Sequence, residues 1–386
     1  MKLLVVSAVA GLFFSLAGST PANTLKTDPD PGEKTERAMP VGPQITVTLC
    51  VASGTLTVNG SDKNELRVTT SAKVLDLRRL DKPRDPSAPA ARVDVMIFES
   101  AAKATQKFDC SAVADVDMQV PAGAAVLVQT RDGDVRITGV AAAYAGSQNG
   151  DITIVGATKL VDAGSIGGSI TLRDSGGRVN LNSAGGIIEV SNVKAATGDD
   201  TFEVGTISGD IQLERVSNPK VSIRTTNGNV TMLGPLTKSG HYVFNNMTGD
   251  VILGLPHDAS FKLSAKVSER RDIVSDFALK YLPDTPPAGT PVPEPPSPPA
   301  SASPTPKPGP PGAVGPVSPV GPITRQPSAI AKGHPPQKTG PVISVQIEKP
   351  IVVPPYVLRR VNAICGSGDA TILVASFGGT VRLKKL

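Results

Sequence analysis

The chain has no tryptophan, and only 3% of its 386 residues are aromatic. Single-stranded nucleic acids are gripped by stacking rings along a basic stripe. This sequence offers neither, and nucleic acid is excluded as a partner. The same scarcity removes the usual aromatic platform for sugars. Histidine occurs three times. His241 and His257 each stand alone near a turn, and His334 lies in a Pro-rich run, so no acid–base pair is assembled around them. Three cysteines without a Cys-x-x-Cys or Cys/His spacing exclude a zinc site. No Ser-centred elbow, phosphate loop or dinucleotide fingerprint occurs. Residues 168–177 are glycine-rich but read as successive turns, because no helix follows them. No cofactor is implied, and no segment after the first 22 residues is apolar over the roughly 20 needed to span a bilayer.

What the chain has instead is a repeat from Val126 to Leu253. Apolar residues alternate, a Ser, Thr, Asn or Asp follows, then Gly three residues on, often Asp, and a second alternating apolar pair. The turn glycines are Gly133, Gly150, Gly168, Gly177, Gly186, Gly209, Gly228 and Gly249, with outlying copies at Gly54 and Gly379. Three positions earlier stand Thr130, Ser147, Ser165, Asp174, Ser183, Thr206, Thr225 and Asn246, whose side chains can bond nearby backbone N–H groups. Period-two alternation gives strands with one buried face. Units this small bury that face only by stacking. The spacing therefore predicts an all-β fold, a β-solenoid or rolled sheet of short strands. A sandwich of regular hairpins is the second choice.

In order, Met1–Ala22 reads as a secretory signal: Lys2, an apolar run to Ala17, then small residues up to Ala22. Residues 23–44 read as a flexible linker, and 45–282 as the β-repeat domain. Residues 283–341 hold 21 of the 36 prolines and read as a disordered, extended insertion. Residues 342–386 are expected to dock back and close the repeat domain as its final rung. This layout predicts an exported protein: periplasmic, at the outer cell surface or secreted. Cys50 and Cys110 flank the N-terminal portion and form a plausible disulfide in such a compartment. Three pairings exist in principle, and buried free thiols are the alternative.

Two chemical readings of the repeat are available. Asp134, Asp151, Asp210 and Asp250 follow the glycine directly, as in a calcium ladder. Ser169, Arg178, Ile187 and Asn229 interrupt the series, and calcium requires six to eight oxygens, so turn stabilisation is preferred and no metal site is read. Asp199, Asp200 and Glu203 beside the longest gap between glycines are the candidates for a carbohydrate-cleaving site. Nothing nearby supplies a partnered acid or base, and a solvated loop is preferred. No catalytic residue is assigned. Net charge is +5 with a pI near 9.0. Lys and Arg are scattered, with pairs at Arg78/Arg79, Arg270/Arg271, Arg359/Arg360 and Lys384/Lys385. They allow weak attraction to anionic envelope polymers.

The opening Val47-Thr-Leu-Cys-Val-Ala-Ser-Gly-Thr-Leu-Thr-Val58, the entry Met118-Gln-Val-Pro-Ala-Gly123, the recurrent Gly-Asp-Val/Ile and the ending Gly379-Thr-Val-Arg-Leu-Lys-Lys-Leu386 carry a resemblance. In these, the chain resembles the adhesin-like family of bacterial β-strand-repeat domains of unknown function, over about Ile45–Phe277 and the last rung. The resemblance implies a right-handed, β-helix-like or rolled-sheet fold at the cell envelope, with no catalytic residues to carry over. The favoured function is a non-enzymatic structural or binding role, with envelope polysaccharide or another envelope protein as partner. Exposed strand positions Arg136, Thr153, Thr171, Asn180, Gln212 and Thr231 are expected to line the binding face. The alternatives are a carbohydrate-active enzyme on the same scaffold, and an envelope scaffold that binds a partner through the Pro-rich segment.

Overall fold

A computed structural model describes residues 34–82, 88–100, 110–268, 272–283 and 358–386. The expected signal, the first half of the linker, the insertion beyond Pro283 and the strand read over Val342–Ile347 lie outside the described residues. Every regular element among those described is a strand. No helix there is long and apolar enough to cross a membrane.

The N-terminal strands are β1 (Thr35–Val51), β2 (Leu56–Ser61), β3 (Glu65–Thr70), β4 (Val74–Arg79), β5 (Ala90–Phe98) and β6 (Val116–Pro121). A regular column follows: β7 (Ala125–Thr130), β8 (Val135–Thr138), β9 (Ala142–Ser147), β10 (Ile152–Val155), β11 (Leu160–Ser165), β12 (Ile170–Arg173), β13 (Arg178–Ser183), β14 (Ile188–Val193), β15 (Thr201–Ser208), β16 (Ile211–Val216), β17 (Lys220–Asn227), β18 (Val230–Leu233), β19 (His241–Thr248) and β20 (Val251–Leu255). The last group is β21 (Phe261–Ser268), β22 (Ile273–Ser275), β23 (Lys280–Leu282), β24 (Leu358–Cys365), β25 (Ala370–Ser376) and β26 (Val381–Lys385). Because β1 begins at Thr35, the stretch 35–44 read as linker is strand.

Successive strands alternate between two sheets, and each pairs in parallel with the strand two places on. Sheet 1 contains β8, β10, β12 and onward to β20, and sheet 2 contains β7, β9, β11 and onward to β19. This is a β-solenoid of two-strand coils. Hairpins would have made the ladders antiparallel. Val126, Ala143, Val161, Val179, Phe202, Val221, Tyr242 and Ile372 stand in register along sheet 2. Val135, Ile152, Ile170, Ile188, Ile211, Val230, Val251 and Val381 do the same in sheet 1. All sixteen are at most 2% exposed. Each Val, Ile or Phe among them contributes on the order of 1.5–3 kcal/mol by leaving water.

One unit of the sequence alignment is corrected. Gly177, aligned with the other turn glycines, lies at the opposite turn, between β12 and β13, with φ +86°. Ile170 pairs with Ile152 in sheet 1 and does not join the sheet 2 column. The spacing 168, 177, 186 is therefore one coil, whose two halves carry the same apolar rhythm. The remaining glycines do form a column. A Cβ on Gly150 would fall far inside contact distance of the Gly133 carbonyl and 3.0 Å from Asp134 N, and the same clash recurs from Gly133 to Gly379. Glycine stands there because coils approach backbone to backbone.

The chain leaves its sequence order at both ends. The β1–β2 coil sits between β5–β6 and β7–β8. At the far end β25 lies between β19 and β21, and β26 between β20 and β22. The C-terminal strands thus dock into the stack, but as an internal rung and not the closing one. Antiparallel β4 and β3 cover the first end, and β24 and β23 cover sheet 2 at the other. Such covers blunt the open edges of a parallel stack.

Candidate binding faces

The first turn of several coils is held from inside, whereas the equivalent hydroxyls of Thr130, Thr206 and Thr225 make no hydrogen bond among the described residues. Ser147, Ser165 and Ser183 are fully buried. The hydroxyl of Ser165 accepts from Gly168 N–H (2.9 Å) and donates to Gly150 O of the previous coil (3.3 Å). Ser147 and Ser183 repeat the pattern, and the Asn246 amide donates to Gly228 O and Gly249 O. Asp174, aligned with these residues in the sequence, is instead exposed at the other turn with φ 49°.

The aspartates that follow the glycines point between coils. Asp134 accepts from Asp151 N–H (2.9 Å), Asp151 from Ser169 N–H (2.8 Å), Asp210 from Asn229 N–H (2.7 Å) and Asp250 from Thr380 N–H (2.8 Å). Each carboxylate is aimed at the next coil's backbone and stitches it in place. Among the described residues no group of three metal-ligating side chains occurs.

The second turn was not legible in the sequence. Gly139, Gly156, Asp174, Asn192, Arg215 and Gly234 share one register, all at positive φ. Arg215 at φ 53° is the costly one, because a side chain in that region is strained by about 1–2 kcal/mol. The Asn192 amide donates to Asp174 (2.8 Å), Arg215 Nε donates to Asn192 (2.6 Å), and Arg215 pairs with Glu214. These residues border a cavity of about 440 Å³ with Glu189, Gln212 and Thr231.

Arg136, Thr153, Thr171, Gln212 and Thr231 form one outward ladder on sheet 1, with Glu189 between Thr171 and Gln212. Asn180, expected among them, stands on sheet 2, a consequence of the misplaced Gly177 unit. There it lines a groove of about 500 Å³ with Leu160, Asp162, Arg178, Thr201 and Glu203. Asn180 donates to Asp162 (3.0 Å) and accepts from Asn182 (3.0 Å). Burial pushes the Asp162 carboxyl up, against the Asn180 bond.

Asp199, Asp200 and Glu203 do not converge as a carboxylate pair. Asp199 is exposed and pairs with Lys220 at 3.3 Å. Asp200 accepts from the N–H groups of Ala196 and Thr197, both at 2.7 Å. Against the upward push of burial, the bonds from Thr197 and Ala196 hold its carboxyl below the ordinary range. Asp200 is thus a loop clasp. His241 and His257 are exposed. Cys50 and Cys110 are disulfide-bonded, with Cα atoms 4.9 Å apart, and Cys365 is a free thiol donating to Ala259 O at 3.4 Å.

The profile of a family described as Toastrack DUF4097 matches residues 44–277. Among solved structures, the chain is similar to a "putative adhesin" from Parabacteroides distasonis ATCC 8503, at 14% identity and a TM-score of 0.36, covering 58% of this chain and 91% of that one. It is also similar to a "putative lipid binding protein" from the same organism, at 16% identity and a TM-score of 0.37, over the same shares. A "putative adhesin" from Parabacteroides merdae ATCC 43184 is similar at 11% identity and a TM-score of 0.30, over 58% of this chain and 90% of that one. No curated protein matches the sequence.

Proposed function

The chain belongs to the Toastrack DUF4097 family, and we propose that it is an exported, adhesin-like binding module of the bacterial cell envelope that works without catalysis. The observation that carries this reading is the ladder on sheet 1. Parallel coils place Arg136, Thr153, Thr171, Glu189, Gln212 and Thr231 about 4.8 Å apart on a tightly packed stack. Polar groups at a fixed pitch suit a repeating ligand, engaged by many weak contacts. The carboxylates that a hydrolase would use are already engaged, Asp200 on backbone N–H groups and Asp199 on Lys220. The N-terminal signal pattern and a disulfide closing a long loop support export.

The test is a binding screen of the full chain against isolated envelope polysaccharides, with product analysis in parallel. Retention that falls when Thr153 and Thr171 are both replaced by Arg is the expected outcome. Polysaccharide cleavage that disappears in the Asp199→Asn/Asp200→Asn variant would instead establish a carbohydrate-active enzyme.

A further inference from the structure

The out-of-order pairing at the C-terminal end assembles a surface absent from the sequence. Across β17, β19, β25, β21, β24 and β23 the outer face of sheet 2 runs for six strands, about 24 Å at the usual spacing. Lys220, Arg224, Lys262, Lys266, Lys280 and Arg360 stand on it, all exposed, while their strand neighbours Val221, Ile223, Leu263 and Ala265 point inward. Between two cationic rows runs a half-buried line of Ser222, Val243, Leu373 and Ser264. The outward positions of these six strands include no Asp or Glu. Three carboxylates reach the margin: Glu203, exposed on β15 opposite Ser222, Asp199, paired with Lys220, and Asp369, which accepts from the Ser367 hydroxyl at 2.9 Å.

Lys266 is placed directly opposite Arg360 in the antiparallel β21–β24 ladder. Like charges facing across a ladder are destabilising. Among the described residues no ion pair joins Arg224, Lys262, Lys266, Lys280 or Arg360 to a carboxylate. Among the described residues this repulsive pair is thus bonded to no carboxylate, and a polyanion would supply the counter-charge.

We propose that this plate binds a linear anionic polysaccharide, lying along the solenoid axis between the two rows of cations. The proposal deepens the binding-module reading and rests on it. Charge complementarity selects an anionic occupant. The half-buried Val243 and Leu373 offer no bulky apolar anchor for a bilayer at the centre of the plate; exposed Tyr281 and Leu282 stand at its edge strand β23, and the rings of His241 and Tyr281 lie on opposite sides of that centre and form no stacking row for bases. The cations stand on β17 and on β21, β24 and β23, with no Lys or Arg on β19 and β25 between them, so a charged polymer long enough to cross all six strands engages both ends of the plate.

The experiment measures binding of the full chain to immobilised polygalacturonate, with dextran as the uncharged polymer and phosphatidylglycerol vesicles as the anionic membrane. Polygalacturonate should bind, dextran should not, and affinity should fall at least about 10-fold between about 50 and 200 mM salt. Lys266→Glu/Lys280→Glu should lose about 10-fold or more in affinity, as repulsion replaces attraction. It should not melt earlier than the parent, because the carboxylate introduced opposite Arg360 replaces a like charge with an opposite one. A Lys63→Glu/Lys73→Glu variant, equal in charge but off both the plate and the sheet 1 ladder, should bind within about 2-fold of the parent, because charge that far from the plate is screened. Unchanged binding by the plate variant, equal loss in the control, dextran bound as well as polygalacturonate, or binding to vesicles alone would each overturn the proposal. If neutral polysaccharides bind through sheet 1 while the plate variant is silent, the binding-module reading survives without the plate. If no envelope polymer binds, both fall.

Discussion

Replacing Gly150 with alanine isolates what holds the coils together. The new methyl would overlap the Gly133 carbonyl and approach Asp134 N to 3.0 Å. Both are backbone atoms, so no rotamer change relieves the clash and two coils must separate locally. Overpacking in a well-packed interior costs typically about 1–3 kcal/mol. Separation also strains the bond from Gly150 N–H to the buried Ser147 hydroxyl, worth about 1 kcal/mol. The expected loss is about 2–4 kcal/mol. At about 2–4 °C per kcal/mol for a domain of this size, Tm should fall by roughly 4–16 °C. Gly198→Ala is the control, because a Cβ there meets nothing within 4 Å. It should change stability by no more than about 1 kcal/mol. Thermal unfolding followed by circular dichroism reads both. A Gly150→Ala protein melting within about 1 °C of the parent would refute close backbone stacking as the reason for the glycine column.

Ser165→Ala should cost about 1–3 kcal/mol in urea unfolding, because Gly168 N–H and Gly150 O lose their buried partner. Thr206→Val should be nearly neutral, since that buried hydroxyl makes no hydrogen bond among the described residues. Reducing Cys50–Cys110, which spans a separation of 60 residues, should lower stability by about 4 kcal/mol on the loop-entropy relation. Comparison of unfolding with and without reductant checks this. Asp162→Asn should stabilise the protein near neutral pH and have no such effect well below pH 4. Burial raises the folded-state pKa, so the parent's carboxyl favours the native state only while protonated and loses that contribution as pH rises through the raised value. Parallel melts across pH would show the gap opening upward. A single cut between Pro283 and Leu358 should leave the two fragments together in non-denaturing size separation, because β25 and β26 are paired on both sides.

The strands and most turns were readable in the sequence, because alternation such as Val135/Ile137 and Ile152/Ile154 is a local consequence of burying one face of a strand. The glycines from Gly133 to Gly249 were readable for a similar reason: a backbone contact repeated once per coil leaves the same small residue each time. Gly177 was misassigned because both halves of that coil present the same apolar pattern, and only pairing shows which sheet each half joins. The second turn escaped notice because left-handed backbone is satisfied there by Gly, Asp, Asn and Arg in succession, so no single residue type marks it. The cationic plate could not be read at all. Lys220, Lys266, Lys280 and Arg360 are scattered along the chain, and they become neighbours only because β25 inserts between β19 and β21 and β24 folds back against β21. Periodicity fixes which face of a strand is buried; which strands lie side by side depends on long-range pairing, and that decided the charge this protein presents.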